Sequence, residues 1–94
     1  MDFLVRVETV LPPDMPEPDR RALLAQERQR GRELCAAGIV QRIWRLPGQL
    51  ANVAIWSTPG PEELHEALVS LPVWRYARVT ITALAEHPLD QQQQ

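Results

Sequence analysis

Ile39-Val40-Gln41-Arg42-Ile43-Trp44-Arg45-Leu46-Pro47-Gly48-Gln49-Leu50-Ala51-Asn52-Val53-Ala54-Ile55-Trp56-Ser57 lies in the middle of the chain and decides how the rest can fold. Ile39–Leu46 reads as a strand, Pro47-Gly48 is a turn pair, and Gln49–Ser57 reads as a second strand. So short a link makes the two strands an antiparallel hairpin. Within the second strand, Leu50, Asn52, Ala54 and Trp56 share one face, and Ala51, Val53 and Ile55 share the other.

Upstream, Gly38 is a helix terminator, and the pattern before it predicts a helix from about Pro18 to Ala37. Pro18 suits a first helical turn, and Asp19 adds favourable charge there. The proline-rich segment Pro12–Pro18 is a stiff connector, and Asp2–Leu11 reads as the first strand. Downstream, Pro61-Glu62-Glu63 opens a second helix, on which Leu64, Ala67, Leu68 and Leu71 follow i, i+3, i+4, i+7 spacing. Pro72 stops it, and Arg78–Leu84 alternates as a fourth strand. The order βαββαβ is a ferredoxin-like α+β arrangement on an antiparallel sheet. Residues 1–88 form one domain, with 89–94 expected as a disordered tail. Two helices cover one sheet face, yet the strands carry apolar residues on both, so a second subunit is the expected cover.

Composition excludes several chemistries. The chain has 94 residues, a formal charge of −2, and ten basic residues that are all arginine. Without lysine there is no Schiff-base nucleophile and no phosphate-loop lysine. The single Cys35 excludes an internal disulfide, and His65 and His87 fit no metal spacing. Four glycines never form a dinucleotide fingerprint. The slightly acidic balance gives no reason to expect nucleic acid or an anionic membrane as partner. No apolar run is long enough to span a bilayer, and the first residues do not resemble a signal peptide, so a cytoplasmic setting is expected. Cofactor-free proton transfer fits what remains.

Two residues break the pattern around them. On a helical wheel with Leu23 at zero, Leu34 falls at about 20° and Glu27 at about 40°, inside the apolar sector. A carboxylate there is costly unless paired or protonated, and burial raises its pKa toward the range of a general base. A salt bridge to Arg6 or Arg42, or outward snorkelling, is the structural alternative. Asn52 is the only asparagine and sits mid-strand, where its type is depleted. It is expected to be buried and hydrogen-bonded, either to the backbone or as a donor to an oxyanion. If its face looks toward the first helix, Glu27 and Asn52 line one pocket.

Other residues carry weaker signals. Trp44, Trp56 and Trp74 are large for so small a chain and read as core, interface or pocket wall. Among Arg6, Arg42, Arg45, Arg75 and Arg78, one or two are candidates to bind a substrate carboxylate. Cys35 lies in the helical stripe and reads as core. His65 reads as a surface residue, and His87, beside Pro88, as a loop residue unless the tail folds over a pocket.

Phe3-Leu4-Val5-Arg6, Leu11-Pro12-Pro13-Asp14-Met15-Pro16, Trp44-Arg45, Ala51-Asn52, Glu63-Leu64-His65, Ser70-Leu71-Pro72 and His87-Pro88, in that order, resemble the muconolactone Δ-isomerases from residue 1 to about 88. The resemblance implies a ferredoxin-like fold paired into dimeric α+β barrels and assembled as decamers. It also implies isomerisation of muconolactone, a small lactone bearing a carboxylate, to the 3-oxoadipate enol-lactone in aromatic catabolism. It implies no cofactor and no metal. The family's catalytic Glu and Asn match Glu27 and Asn52, and Leu50, Trp44, Arg45, Trp56 and His87 are the expected substrate-binding residues. Two positions depart from the family pattern: Leu50 stands where a Tyr is usual, and Arg75 where a second Pro is usual. Two alternatives therefore stay open. One is a paralogue acting on another ring, as a biosynthetic isomerase, a cyclase or a chloromuconolactone dehalogenase. The other is a non-catalytic oligomeric binding module.

Overall fold

The computed structural model describes residues 1–93. Four strands, β1 (Asp2–Thr9), β2 (Val40–Arg45), β3 (Ala51–Ser57) and β4 (Ala77–Leu84), and two helices, α1 (Glu17–Ala36) and α2 (Pro61–Val69), follow the expected βαββαβ order. Short 3₁₀ segments at Trp74–Tyr76 and Pro88–Gln93 complete it. The last residue of the tail expected at 89–94, Gln94, lies outside the described residues. The sheet order is β2-β3-β1-β4 with every neighbour antiparallel, the ferredoxin-like α+β topology.

Boundaries shift where turns claim residues. β3 begins at Ala51 rather than Gln49 because Gly48, at φ 76°, turns the chain and the Gln49 N–H bonds back to the Leu46 carbonyl at 3.2 Å. β1 ends at Thr9, three residues before the first of the prolines, Pro12. Gly38, at φ 77°, ends α1 as expected.

Register decides which residues meet. Phe3, Val5 and Val7 of β1 pair with Trp56, Ala54 and Asn52 of β3. These pairs share the face beneath the helices. The core forms there from Phe3, Val5, Ala54, Trp56, Leu64 and Leu68, closed by Leu71 and Val73. α2 buries Leu64, Ala67 and Leu68, the expected stripe. α1 is held differently. Leu34 is its one fully buried side chain, with Leu23 packed at the core edge. Between those anchors the helix presents Glu27 and Gly31, while the strands below present Val40 and Asn52. No large apolar side chain fills that gap, so α1 stands off the sheet and a cavity remains.

The opposite face carries Leu4, Val53 and Ile55, all half-buried, and Trp44, exposed beneath the Arg42 guanidinium at 4.8 Å. Nothing in the chain covers this face among the described residues.

Candidate active site

The cavity between α1 and the sheet has a volume of about 730 Å³. α1 supplies Glu27 and β3 supplies Asn52, so the two pattern-breaking residues face one space. They come from opposite walls: Glu27 by helical phase, Asn52 because alternate residues of β3 face the helices.

Glu27 is half-buried and forms no ion pair among the described residues. Its Oε1 accepts a hydrogen bond from the Val73 backbone N–H at 3.2 Å. Burial pushes its pKa above the ordinary glutamate value, and the Val73 hydrogen bond opposes that shift without cancelling it. The salt-bridge alternative fails for a topological reason. Arg6 and Arg42 belong to the uncovered sheet face, where Arg6 bonds Gln49 at 2.9 Å and Glu8 at 3.5 Å, and Arg42 lies over Trp44.

Asn52 is half-buried, not buried, and its amide makes no hydrogen bond within the chain among the described residues. The expectation of a bonded asparagine is therefore corrected. Its wall borders empty space, which leaves the amide N–H groups free for a ligand.

The expected binding residues divide. Arg45, Leu50 and Trp56 line the cavity with Glu27 and Asn52. Arg45 pairs directly across the strands with Asn52, and Leu50, just before β3, is 45% exposed. Trp56 is buried in the cavity lining, and its Nε1 has no hydrogen-bond partner among the described residues. Trp44 and His87 are not brought there. Trp44 faces the other side of the sheet, as its pairing with Val53 requires. His87 is exposed beyond β4, where its Nδ1 accepts from the Leu89 N–H at 3.1 Å. Cys35 is exposed at the cavity edge, which corrects its reading as core. His65 is exposed and meets the Trp74 ring edge-on at 6.1 Å. Sequence reasoning missed Arg28, Arg32 and Gly31 as cavity residues. On the wheel Gly31 falls inside the apolar sector and Arg28 and Arg32 at or beyond its edge, but only the stand-off of α1 puts space beside them.

Among the described residues, no cluster of three His, Cys, Asp or Glu is placed to hold a metal, and no helix is long and apolar enough to cross a membrane.

The decisive comparison covers nearly the whole chain: residues 1–90 match the family described as muconolactone delta-isomerase. The chain belongs to the muconolactone Δ-isomerase family. A muconolactone Δ-isomerase of Acinetobacter baylyi is 35% identical over 88 residues, covering 94% of this chain and 92% of that protein. One from Cupriavidus pinatubonensis is also 35% identical, with 94% and 96% covered. The crystal structure of a muconolactone isomerase superposes with a TM-score of 0.88 at 32% identity, covering 94% of this chain and 92% of that one. This family member is thus an isomerase by descent and by fold, and its cavity lies between the helix and sheet that carry Glu27 and Asn52.

Proposed function

We propose that the cavity catalyses an allylic proton shift on an unsaturated lactone bearing a carboxylate, muconolactone to the 3-oxoadipate enol-lactone. The observation that carries this is a desolvated Glu27, with raised pKa and no counter-ion, across one cavity from an unbonded Asn52 amide. Glu27 removes the proton from the ring carbon bearing the carboxymethyl arm. The electron pair moves through the ring double bond onto the lactone carbonyl oxygen, giving a dienolate. Asn52 donates to that oxygen as charge develops. Glu27 then returns the proton to the carbon beside the carbonyl. General base catalysis is worth roughly 10²–10⁴-fold and an oxyanion donor roughly 10²–10³-fold.

No cofactor or metal enters these steps. The uncovered sheet face, with Trp44, Val53 and Ile55, suits a second copy of the chain. A dimeric α+β barrel is the smallest assembly this reading takes, and a decamer is what the family likeness suggests. A cytoplasmic place in aromatic catabolism goes with the same reading.

A second reading is favoured by Leu50 and the size of the cavity. Pockets of roughly 300–1,000 Å³ hold drug-sized ligands. A related enzyme acting on a bulkier ring would keep Glu27 and Asn52 and use the room beside Leu50. Incubation of the purified protein with muconolactone, followed by NMR, separates the two. Enol-lactone formed at ordinary enzyme efficiency supports the first, and no turnover overturns it.

A further inference from the structure

Three arginines border the cavity: Arg28 and Arg32 on α1, and Arg45 on β2. None forms an ion pair or a side-chain hydrogen bond among the described residues. Their lack of partners is written in the sequence. Arg30, midway between Arg28 and Arg32 in the sequence, has Glu33 at i+3 and pairs with it at 2.9 Å. Arg28 and Arg32 have no acid at i±3 or i±4; they have each other. Like charges at i, i+4 destabilise a helix. Arg45 faces Asn52 across the strands, again with no acid. Among the described residues Glu27 is the only acid on the cavity wall, in a chain whose net charge is −2.

The positive edge is separate from the base. Glu27 makes no ion pair with an arginine among the described residues, and its one hydrogen bond comes from the Val73 backbone. A guanidinium close to that carboxylate would favour its charged form and weaken it as a base. The cavity thus has two chemically distinct zones. One is desolvated, with Glu27 and the Asn52 amide. The other is a cationic opening between α1 and the end of β2.

We propose that Arg45, aided by Arg28 and Arg32, is the anion-recognition edge of this site and holds the carboxylate arm of the ligand. This rests on the isomerase reading for the identity of the ligand. Arg45 is the central member because its partner across the sheet is Asn52. A carboxylate bound by its planar fork leaves the attached ring beside the Asn52 amide and opposite Glu27. Arg28 and Arg32, exposed on the helix, add long-range attraction for an anion. Two-point binding of this kind fixes which ring carbon meets Glu27. A neutral lactone of the same shape gains neither anchor nor orientation.

The probe is the saturated γ-lactone carrying a carboxymethyl arm, which lacks the double bond the proton shift needs, and its methyl ester. Calorimetry on the folded wild-type protein is expected to show the acid binding at least tenfold tighter than the ester, with the preference shrinking as salt rises. Arg45→Gln collapses the acid-over-ester preference to within about threefold, and Arg45→Lys restores part of it. Arg28→Gln with Arg32→Gln weakens acid binding further. Arg21→Gln, exposed on α1 away from the cavity, leaves the preference in place. Equal binding of acid and ester by the wild type, or an undiminished preference in Arg45→Gln, overturns the proposal. Should Arg45→Gln not fold, an undiminished preference in both Arg45→Lys and the Arg28→Gln, Arg32→Gln variant overturns it as well. These measurements need no turnover. Failure of the isomerase reading shows instead as an absence of enol-lactone in the muconolactone assay.

Discussion

The backbone N–H of Val73 holds Oε1 of Glu27 at 3.2 Å, so the residue after Pro72 orients a carboxylate that belongs to α1. Pro72 stops α2, and the turn that follows carries the Val73 N–H to the other helix. The bond fixes one carboxylate oxygen. It also stabilises the charged form, yet desolvation outweighs it and the pKa stays raised. A base needs both properties: a set direction and a proton affinity above that of a solvated glutamate.

Glu27→Gln tests the base. The amide is nearly isosteric and can still accept from Val73, but it cannot take a proton. Turnover of muconolactone should fall by about 10²–10⁴-fold, roughly 3–5 kcal/mol in barrier height, with the circular dichroism spectrum unchanged. A variant as active as the wild type would make Glu27 a structural carboxylate.

The pH dependence follows from the direction of the Glu27 shift. A folded-state pKa above the unfolded value means that the native protein binds the proton more readily than the unfolded chain. Between those two pKa values the native state carries more protons, so stability falls as pH rises through the window. The charged carboxylate is therefore a burden on the fold at neutral pH. Urea titrations from the ordinary glutamate range upward should show wild-type stability declining relative to Glu27→Gln. Activity should rise over the same interval as the base deprotonates. Parallel stability profiles for the two proteins would contradict a desolvated Glu27.

Gly31 is another residue whose cost points to the cavity. It lies inside α1, half-buried, and a Cβ built there meets nothing within 4 Å. No neighbour demands a glycine, and a helical glycine costs about 0.5–1 kcal/mol relative to alanine. Gly31→Ala should stabilise the protein by about that amount in thermal or urea unfolding. Gly31→Leu should fill the space beside Glu27 and suppress ligand binding while leaving the fold intact. Unimpaired binding in Gly31→Leu would show that the ligand does not use this wall.

The uncovered sheet face predicts assembly. Val53 and Ile55 lie at its centre beside exposed Trp44, an arrangement small monomers rarely leave in water. Light scattering at micromolar concentration should report a dimer or larger species, and Val53→Asp should break it. A stable, folded wild-type monomer would refute the idea.

How much of this the sequence disclosed depends on which physical signal was local. Element order and strand faces were legible because turn residues and period-two alternation act within a few residues. Glu27 and Asn52 stood out because each violates its own element's pattern. Arg28, Arg32 and Gly31 did not, because an exposed arginine or a helical glycine looks the same beside a cavity as beside bulk water. Their role depends on the stand-off of α1, which only tertiary packing sets. Trp44 went to the other face by strand parity: Arg45, not Trp44, pairs with Asn52. The free state of the Asn52 amide was likewise invisible, since a mid-strand asparagine equally suggests a backbone bond.

Leu50 is the residue on which substrate choice turns. It lines the same cavity as Asn52, is 45% exposed, and contributes no hydrogen bond from its side chain. By the family resemblance a tyrosine is expected here, whose hydroxyl would add a donor near the developing charge. Leucine offers an apolar wall and no hydrogen-bond donor instead. If the pocket serves a bulkier or less polar ring, Leu50→Tyr should improve turnover of muconolactone tenfold or more, about 1.4 kcal/mol of barrier. The same substitution should impair binding of larger lactones by occupying their space. If instead the wild type already turns over muconolactone efficiently and Leu50→Tyr slows it, leucine is a tolerated replacement. The missing donor is then supplied by Asn52 alone. The direction of this one change therefore distinguishes an enzyme of the usual substrate from a relative whose cavity has been opened for another.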